Sequence, residues 1–188
     1  RWRMHFLSDA IAEIEGLLEV NRDFCKKQMA EKGIASAADE LCGSAINHQF
    51  TEKMGWPLFL ELDKQDLYNF EGLRIPINNS IVEMDMLVLS LVKVILDSLN
   101  EKKIVAQLTG TYEKLTGSIS KSEAWFQEKH LSDYQEHIKF LRDLQELRSS
   151  GTGHRKGKGY QKISKVFDIQ RKNYAETFSN ILDNVISF

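Results

Sequence analysis

The scarcity of proline is the feature that most limits the folds open to this chain. Its 188 residues include two prolines, Pro57 and Pro76, which lie within twenty residues of each other. A proline inside a helix removes a backbone hydrogen bond and clashes with the preceding turn. The segments before residue 57 and after residue 76 are therefore free to form long helices, whereas the segment between the prolines is not.

Apolar residues before the first proline recur at helical spacing. The stripe within residues 4–29 consists of Leu7, Ile11, Ile14, Leu18 and Cys25. Steps of three and four residues, or multiples of them, place such residues on one face of a helix, so this segment is predicted to form one amphipathic helix. A weaker helix is predicted from residue 37 to residue 53, and it should stop near Gly55.

The strongest helical pattern begins at Ser80. Ser80 and Glu83 form a capping-box pattern, in which the serine accepts from the backbone while the glutamate reaches back. The apolar residues that follow predict the central helix of the fold. Glu83 and Asp85 are interpreted as carboxylates that complement the helix dipole. Further helices are predicted at 101–117 (weakly), 121–130, 133–149 and 161–186, with capping boxes at Ser120/Glu123 and Ser132/Gln135.

Residues 56–79 form an apolar connector that is predicted to be irregular, because both prolines lie within it. The connector lacks the Gly/Ser-rich or charged composition of a flexible linker, so we expect it to pack against the helices. The alternative is a protein-binding surface, which would leave Trp56 and Phe59 exposed to solvent.

The order of these elements predicts an all-α helical bundle with short loops, since the sequence shows neither strand–helix alternation nor an internal repeat. The predicted parts are an N-terminal helical segment (1–55), the irregular connector (56–79) and a helical bundle (80–188). Alternatively, all three parts belong to one compact domain.

Composition excludes several classes of protein. Apolar residues make up 42% and charged residues 28%, with 25 basic and 27 acidic residues, which is typical of a globular domain and unlike a disordered chain or a basic coat protein. The two cysteines are too few for a disulfide scaffold, and we interpret them as free thiols in a reducing cytoplasm. Acidic residues from Asp9 to Glu19 interrupt any secretory signal, and the longest apolar run, Met86 to Leu96, is too short to span a membrane.

Basic residues are concentrated between positions 148 and 165, where no acidic residue occurs. The six members are Arg148, Arg155, Lys156, Lys158, Lys162 and Lys165. The other 19 basic residues of the chain stand against 27 acidic ones, so the segment is predicted to form an electropositive patch on an acidic body. Such a patch is typical of a site for anions or nucleic acid, and the alternative is a solvated basic loop.

Arg148 and His154 are the candidate reactive pair in this segment. Arg148 follows Leu144 by four residues, which predicts that it projects from the buried face at the end of its helix. His154 can fold back across the glycine-rich turn toward it. An imidazole titrating near neutrality can accept the proton of a ribose 2′-hydroxyl, and a guanidinium can hold the phosphate oxygens. This reaction requires no metal and no other cofactor.

These residues resemble the motif of the HEPN superfamily, in which four to six residues separate Arg from His and a polar residue usually follows the Arg. The matching positions are Arg148, Ser149 and His154, and the resemblance would cover roughly residues 80–188. It implies a helical bundle that cleaves RNA as a homodimer without metal, leaves a cyclic phosphate, and serves a prokaryotic defence or stress system. Other members are inactive dimerisation or RNA-binding modules, which is the alternative. The tyrosine found two residues after His in one toxin branch is Lys156 here.

The remaining candidate residues are basic or aromatic side chains beside the proposed pair. We predict that RNA contacts Arg155, Lys156, Lys158, Tyr160 and Lys162. The rival interpretation of the histidines is a metal site formed by His130, Asp133 and His137, which share a helical face only if His130 belongs to the helix. Ser132 is predicted to cap that helix, so His130 should precede it, and no metal is expected.

Overall fold

The fold is known from a computed structural model, which describes residues 45–110, 115–152, 156–169 and 173–187. The predicted helix at 4–29 and both cysteines lie outside these ranges. His154 and Arg155 of the basic segment also lie outside them.

Regular structure in the described ranges consists of eight helices and one isolated antiparallel bridge, between Phe59 and Leu99. The helices are α1 (Ala45–Met54), α2 (Leu67–Glu71), α3 (Ile81–Ile95), α4 (Glu101–Ala106), α5 (Ser118–Glu128), α6 (Tyr134–Gly151), α7 (Lys158–Val166) and α8 (Tyr174–Ser187). The prediction of an all-α helical bundle is therefore confirmed.

The core is organised around α3, which packs against α2, α6 and α8. Its buried side chains are Met84, Leu87, Val88, Leu91, Val92, Val94 and Ile95. These residues form one broad buried face that covers nearly half of the helix circumference, whereas Val82 and Met86 on the other side are exposed. The predicted central position of this helix is confirmed.

Glu83 stabilises the start of α3 in a way that differs from the predicted capping box. Ser80 is the N-cap residue, but its side chain makes no capping hydrogen bond. The Glu83 carboxylate instead accepts from the backbone N–H groups of Asn78 (2.8 Å) and Ile77 (3.2 Å) and pairs with Arg74. Hydrogen bonds from Arg74 and from the Asn78 backbone lower the pKa of Glu83. The predicted box was wrong because the turn after Pro76 supplies better-placed donors than Ser80.

The predicted N-cap positions of the next two helices, Ser120 and Ser132, are also wrong, although both helices exist. Ser120 lies inside α5, which already begins at Ser118 after Gly117 in a left-handed conformation (φ 81°). Glu123 pairs with Arg142 of α6. Helix α6 begins at Tyr134, and the residue at its N-cap position is Asp133.

The connector packs against the helices as predicted, and the exposed-surface alternative is wrong. Trp56 is 4% exposed and lies between Phe50 and Trp125, with ring centroids 4.9 Å and 5.9 Å away. Asn47 of α1 holds the chain at Phe59, since its side chain donates to the Phe59 carbonyl (2.8 Å) and accepts from the Phe59 N–H (3.0 Å). Burial of two tryptophans against each other explains why this apolar segment is not left in water.

The final predicted helix, 161–186, is instead two helices, α7 and α8. Asp168 adopts a left-handed conformation (φ 53°) immediately after α7. This turn returns Ile169 to the core, where it is buried and donates its N–H to the Ser164 carbonyl (2.9 Å). The apolar spacing continues through Phe167 and Tyr174 on both sides of the break, so periodicity alone indicated one helix.

Truncation of Leu144 tests the burial of α6. Leu144 is fully buried, and its neighbour Gln145 is exposed. Leu144→Ala should lower the free energy of unfolding by about 2–5 kcal/mol, because it removes buried methyl groups and leaves a cavity. Gln145→Ala should change it by less than about 0.5 kcal/mol. Urea unfolding followed by circular dichroism measures both, and equal effects would contradict this packing.

Candidate functional site

Arg148 lies in the last turn of α6, at the edge of the buried face. Its side chain is 31% exposed, and Nη2 lies 3.8 Å from Oδ2 of Asp97, which follows α3 and is half exposed. An exposed ion pair at this distance contributes little, about 0–1 kcal/mol. The guanidinium is thus held near the protein surface by packing of its stem, with its charge only weakly compensated.

Ser149 is exposed and uses its hydroxyl locally. Its Oγ donates to the Glu146 carbonyl (3.2 Å), and Ser150 donates to the same carbonyl (2.7 Å). Thr152 then donates to the Arg148 carbonyl through both its hydroxyl (2.7 Å) and its N–H (3.0 Å). These bonds satisfy carbonyls that the end of a helix otherwise leaves without partners.

Lys156 lies two residues before the start of α7 and contacts Asp85 in the first turns of α3. Its Nζ lies 2.6 Å from Oδ2 of Asp85 and 4.4 Å from the centroid of the Tyr160 ring. Both the ion pair and the cation–π contact hold the ammonium in one place. Gly151 completes the arrangement, since a Cβ on it would lie only 3.1 Å from Oδ1 of Asp85.

This ion pair distinguishes Lys156 from the other residues that are predicted to contact RNA, because its ammonium is already paired with the Asp85 carboxylate. Asp85 was interpreted from the sequence as a dipole-complementing residue only. The sequence contained no signal for the pair, since Lys156 and Asp85 are 71 residues apart.

Tyr160 is half-buried against the same cluster. Its hydroxyl oxygen is buried, and no hydrogen-bond partner for it lies within the described ranges. Burial, followed by the nearby Asp85 and Tyr174, raises the pKa of Tyr160 to about 12. The phenol is therefore neutral at physiological pH, and Lys156 lies over its ring.

The three remaining basic residues form a surface that we call the lysine face. Lys158, Lys162 and Lys165 lie at positions i, i+4 and i+7 of α7 and are all exposed. No carboxylate of the described residues lies within ion-pair distance of any of them, and Val166 beside them is 51% exposed. The sequence placed Lys158 in a loop, so the alignment of these lysines on one helix was missed.

The residues of the rival metal-site interpretation do not share a helical face. His130 and Asp133 both adopt left-handed conformations (φ 54° and 53°) before α6, and only His137 lies within that helix. Burial lowers the pKa of His137, partly offset by Glu136 and Asp133. His130 precedes the helix, as predicted. The described part of the chain contains no cluster of three or more His, Cys, Asp or Glu side chains able to hold a metal ion.

Comparison with protein families, curated proteins and solved structures finds no match to this chain. The HEPN resemblance therefore depends on Arg148, Ser149 and His154 and on their position before the last helices. Among the described helices, none has the length and apolar character needed to cross a membrane.

Substitution of Gly151 tests the packing of Asp85. Alanine favours a helix over glycine, but at position 151 the new methyl group would push the Asp85 carboxylate away from Lys156. Gly159→Ala is the matched control, because only the exposed Glu146 side chain has to move there. Gly151→Ala should have the lower free energy of unfolding by about 1 kcal/mol or more. Chemical denaturation of both variants measures this, and equal stabilities would contradict the contact.

The raised pKa of Tyr160 predicts a loss of stability in alkali. The phenol holds its proton more tightly in the folded state, so stability is complete below its ordinary pKa of 10.0 and falls as pH rises toward about 12. Tyr160→Phe should lose less stability than the wild type between about pH 8 and about pH 11. At neutral pH the variant should not be destabilised, because no hydrogen bond is removed. Urea unfolding at both pH values, with the exposed Tyr68→Phe as control, decides this.

Proposed function

We propose that this chain is a metal-independent endoribonuclease in which Arg148 and His154 act on an RNA phosphodiester. The observation that carries the proposal is the position of Arg148, a half-buried arginine with a weakly held partner at the end of α6, the helix against which α7 and its lysine face pack. His154 lies outside the described residues, and its role follows from the HEPN resemblance and the chemistry of imidazole.

In the proposed reaction, His154 accepts the proton of the ribose 2′-hydroxyl, and the 2′ oxygen attacks the adjacent phosphorus. The bond from phosphorus to the 5′ oxygen breaks, and that oxygen takes up a proton. The products are a 2′,3′-cyclic phosphate and a 5′-hydroxyl. Arg148 holds the phosphate oxygens and stabilises the additional negative charge of the transition state.

The pairing of Arg148 with Asp97 is compatible with this role. Asp97 is half exposed and 3.8 Å away, so a phosphate that accepts two hydrogen bonds from the guanidinium can replace it. Displacement of an exposed carboxylate costs little compared with the gain from a charge-assisted bidentate contact.

The lysine face supplies the contacts to the rest of the RNA backbone. The helical positions of Lys158 and Lys165 span roughly 10 Å along α7, enough to follow more than one phosphate of a strand. Arg155 joins them in the proposal. Lys156 and Tyr160 take a structural role in addition, since they hold the start of α7 against Asp85.

The resemblance also implies a homodimer in which two copies bring their Arg148 and His154 residues together, and a place in a prokaryotic defence or stress system. Both belong to the proposal. The proposed proton transfers need no cofactor.

A second candidate function is a catalytically inactive module that binds RNA. The observation that favours it is Asp97, whose negative charge beside Arg148 opposes the approach of a phosphate. The lysine face would then bind RNA without cleavage.

Cleavage of a mixed RNA substrate in EDTA, with full-length protein, tests the enzyme. Arg148→Ala and His154→Ala should each reduce the rate by about 10²–10³-fold, because each removes one partner of the reaction. Arg142→Ala is the matched control, since Arg142 lies on the same helix but pairs with Glu123. The 3′ ends should carry cyclic phosphate by mass spectrometry. Cleavage that is abolished by EDTA, or unchanged in His154→Ala, would refute the mechanism.

Binding to a 2′-O-methyl RNA, which lacks the attacking hydroxyl, separates the two candidates. The inactive module would be favoured if the protein cleaves no RNA but binds the 2′-O-methyl RNA. Replacement of the three lysines of the lysine face by alanine should then abolish that binding. Absence of both cleavage and binding would refute both functions.

A further inference from the structure

The lysine face has a charge-complementary segment within the same chain. Residues 4–21 include four acidic residues and no lysine or arginine. The acidic residues are Asp9, Glu13, Glu15 and Glu19. Helix α7 shows the reverse, with three exposed lysines and no acidic residue from Lys156 to Val166. Each segment has the charge that the other lacks, within a chain whose net charge is −2.

We infer that residues 9–19 dock on the lysine face when RNA is absent and compete with RNA for it. The inference concerns the same surface as the proposed function but does not depend on cleavage. Opposite charges on facing surfaces select the partner and the orientation of an interface.

The spacing of the charges fits this pairing. The acidic residues fall into two pairs, Asp9/Glu13 and Glu15/Glu19, each four residues apart, and the first two lysines of α7 are also four apart. On the amphipathic helix that the sequence predicts for residues 4–29, Glu15 and Glu19 lie one turn apart beside the apolar stripe, whereas Asp9 and Glu13 lie one turn apart on the opposite side. The exposed Val166 offers an apolar contact at the edge of the lysine face.

The other two described basic residues of the segment 148–165 already have carboxylate partners. Arg148 and Lys156 pair with Asp97 and Asp85, whereas the lysine face has no carboxylate among the described residues. Within residues 148–165, the lysine face is therefore the described part that is open to an acidic partner. Reach is not limiting, since residues 30–44, between that predicted helix and α1, can extend up to about 50 Å.

When the segment is docked, RNA cannot bind the lysine face. The apparent affinity for RNA is therefore the intrinsic affinity multiplied by the fraction of molecules whose lysine face is free. If the segment covers the face nine-tenths of the time, apparent binding weakens about tenfold. Because the contact is electrostatic and exposed, salt should release it.

Carbodiimide cross-linking of the unmodified, full-length protein tests the contact directly. Mass spectrometry should find bonds between the carboxylates of residues 9–19 and Lys158, Lys162 or Lys165. The exposed Lys102 and Lys103 of α4 are the control lysines and should react far less. Equal reaction at the control lysines, or no bonds to α7, would overturn the inference.

A mixture of ¹⁴N- and ¹⁵N-labelled protein shows whether each bond lies within one chain. Bonds confined to single chains are expected. Bonds formed only between differently labelled chains would overturn the intrachain contact and identify a second copy as the partner.

Neutralisation of the acidic segment tests the competition. The full-length variant Asp9→Asn/Glu13→Gln/Glu15→Gln/Glu19→Gln should bind 2′-O-methyl RNA about tenfold more tightly at low salt, with the gain lost at high salt. The control variant neutralises four exposed carboxylates elsewhere, Glu61, Asp63, Glu71 and Glu136, and changes net charge equally. An equal gain in the control would overturn the competition.

The outcomes also separate this inference from the proposed function. RNA cleavage without bonds between residues 9–19 and α7 would refute the inference alone. Intrachain bonds without any RNA cleavage would support it and refute the enzyme.

Discussion

The burial of α3 is the constraint on which the rest of the structure depends. Each buried Leu, Ile, Val or Met side chain removes apolar surface from water and contributes about 1.5–3 kcal/mol, and α3 buries seven such residues. Because α2, α6 and α8 pack against this helix, the end of α6 is held close to the first turns of α3. The position of Arg148, and the approach of Gly151 to Asp85, both follow from that packing.

Electrostatic pairing then divides one basic segment into two parts. Arg148 and Lys156 lie beside Asp97 and Asp85, carboxylates that belong to or follow α3. The lysines of α7 have no such partner among the described residues and remain exposed. A phosphate can reach the lysine face without first displacing a carboxylate of the described residues, whereas at Arg148 it must replace Asp97. The same division leaves the lysine face open to the acidic segment 9–19.

Periodicity predicted the existence of the described helices better than their ends. The helices corresponding to α3, α5 and α6 were expected, because apolar spacing reports burial of one face wherever it occurs. Their caps were not, because the best hydrogen-bond partner of Glu83 is a turn held by Arg74 and Pro76 rather than the serine in the local pattern. The break at Asp168 was missed for a related reason, since apolar residues on both sides of it keep the helical phase.

The sequence by itself determined the all-α class, a connector between the prolines that is irregular apart from the short helix α2, and the concentration of basic residues after position 148. These properties depend on neighbouring residues along the chain. Only the tertiary structure decided that Trp56 is buried, that Lys156 lies on a carboxylate 71 residues away, and that three lysines align on α7 without such a partner. Ion pairs and burial depend on which helices meet in space, and no local spacing in the chain records that.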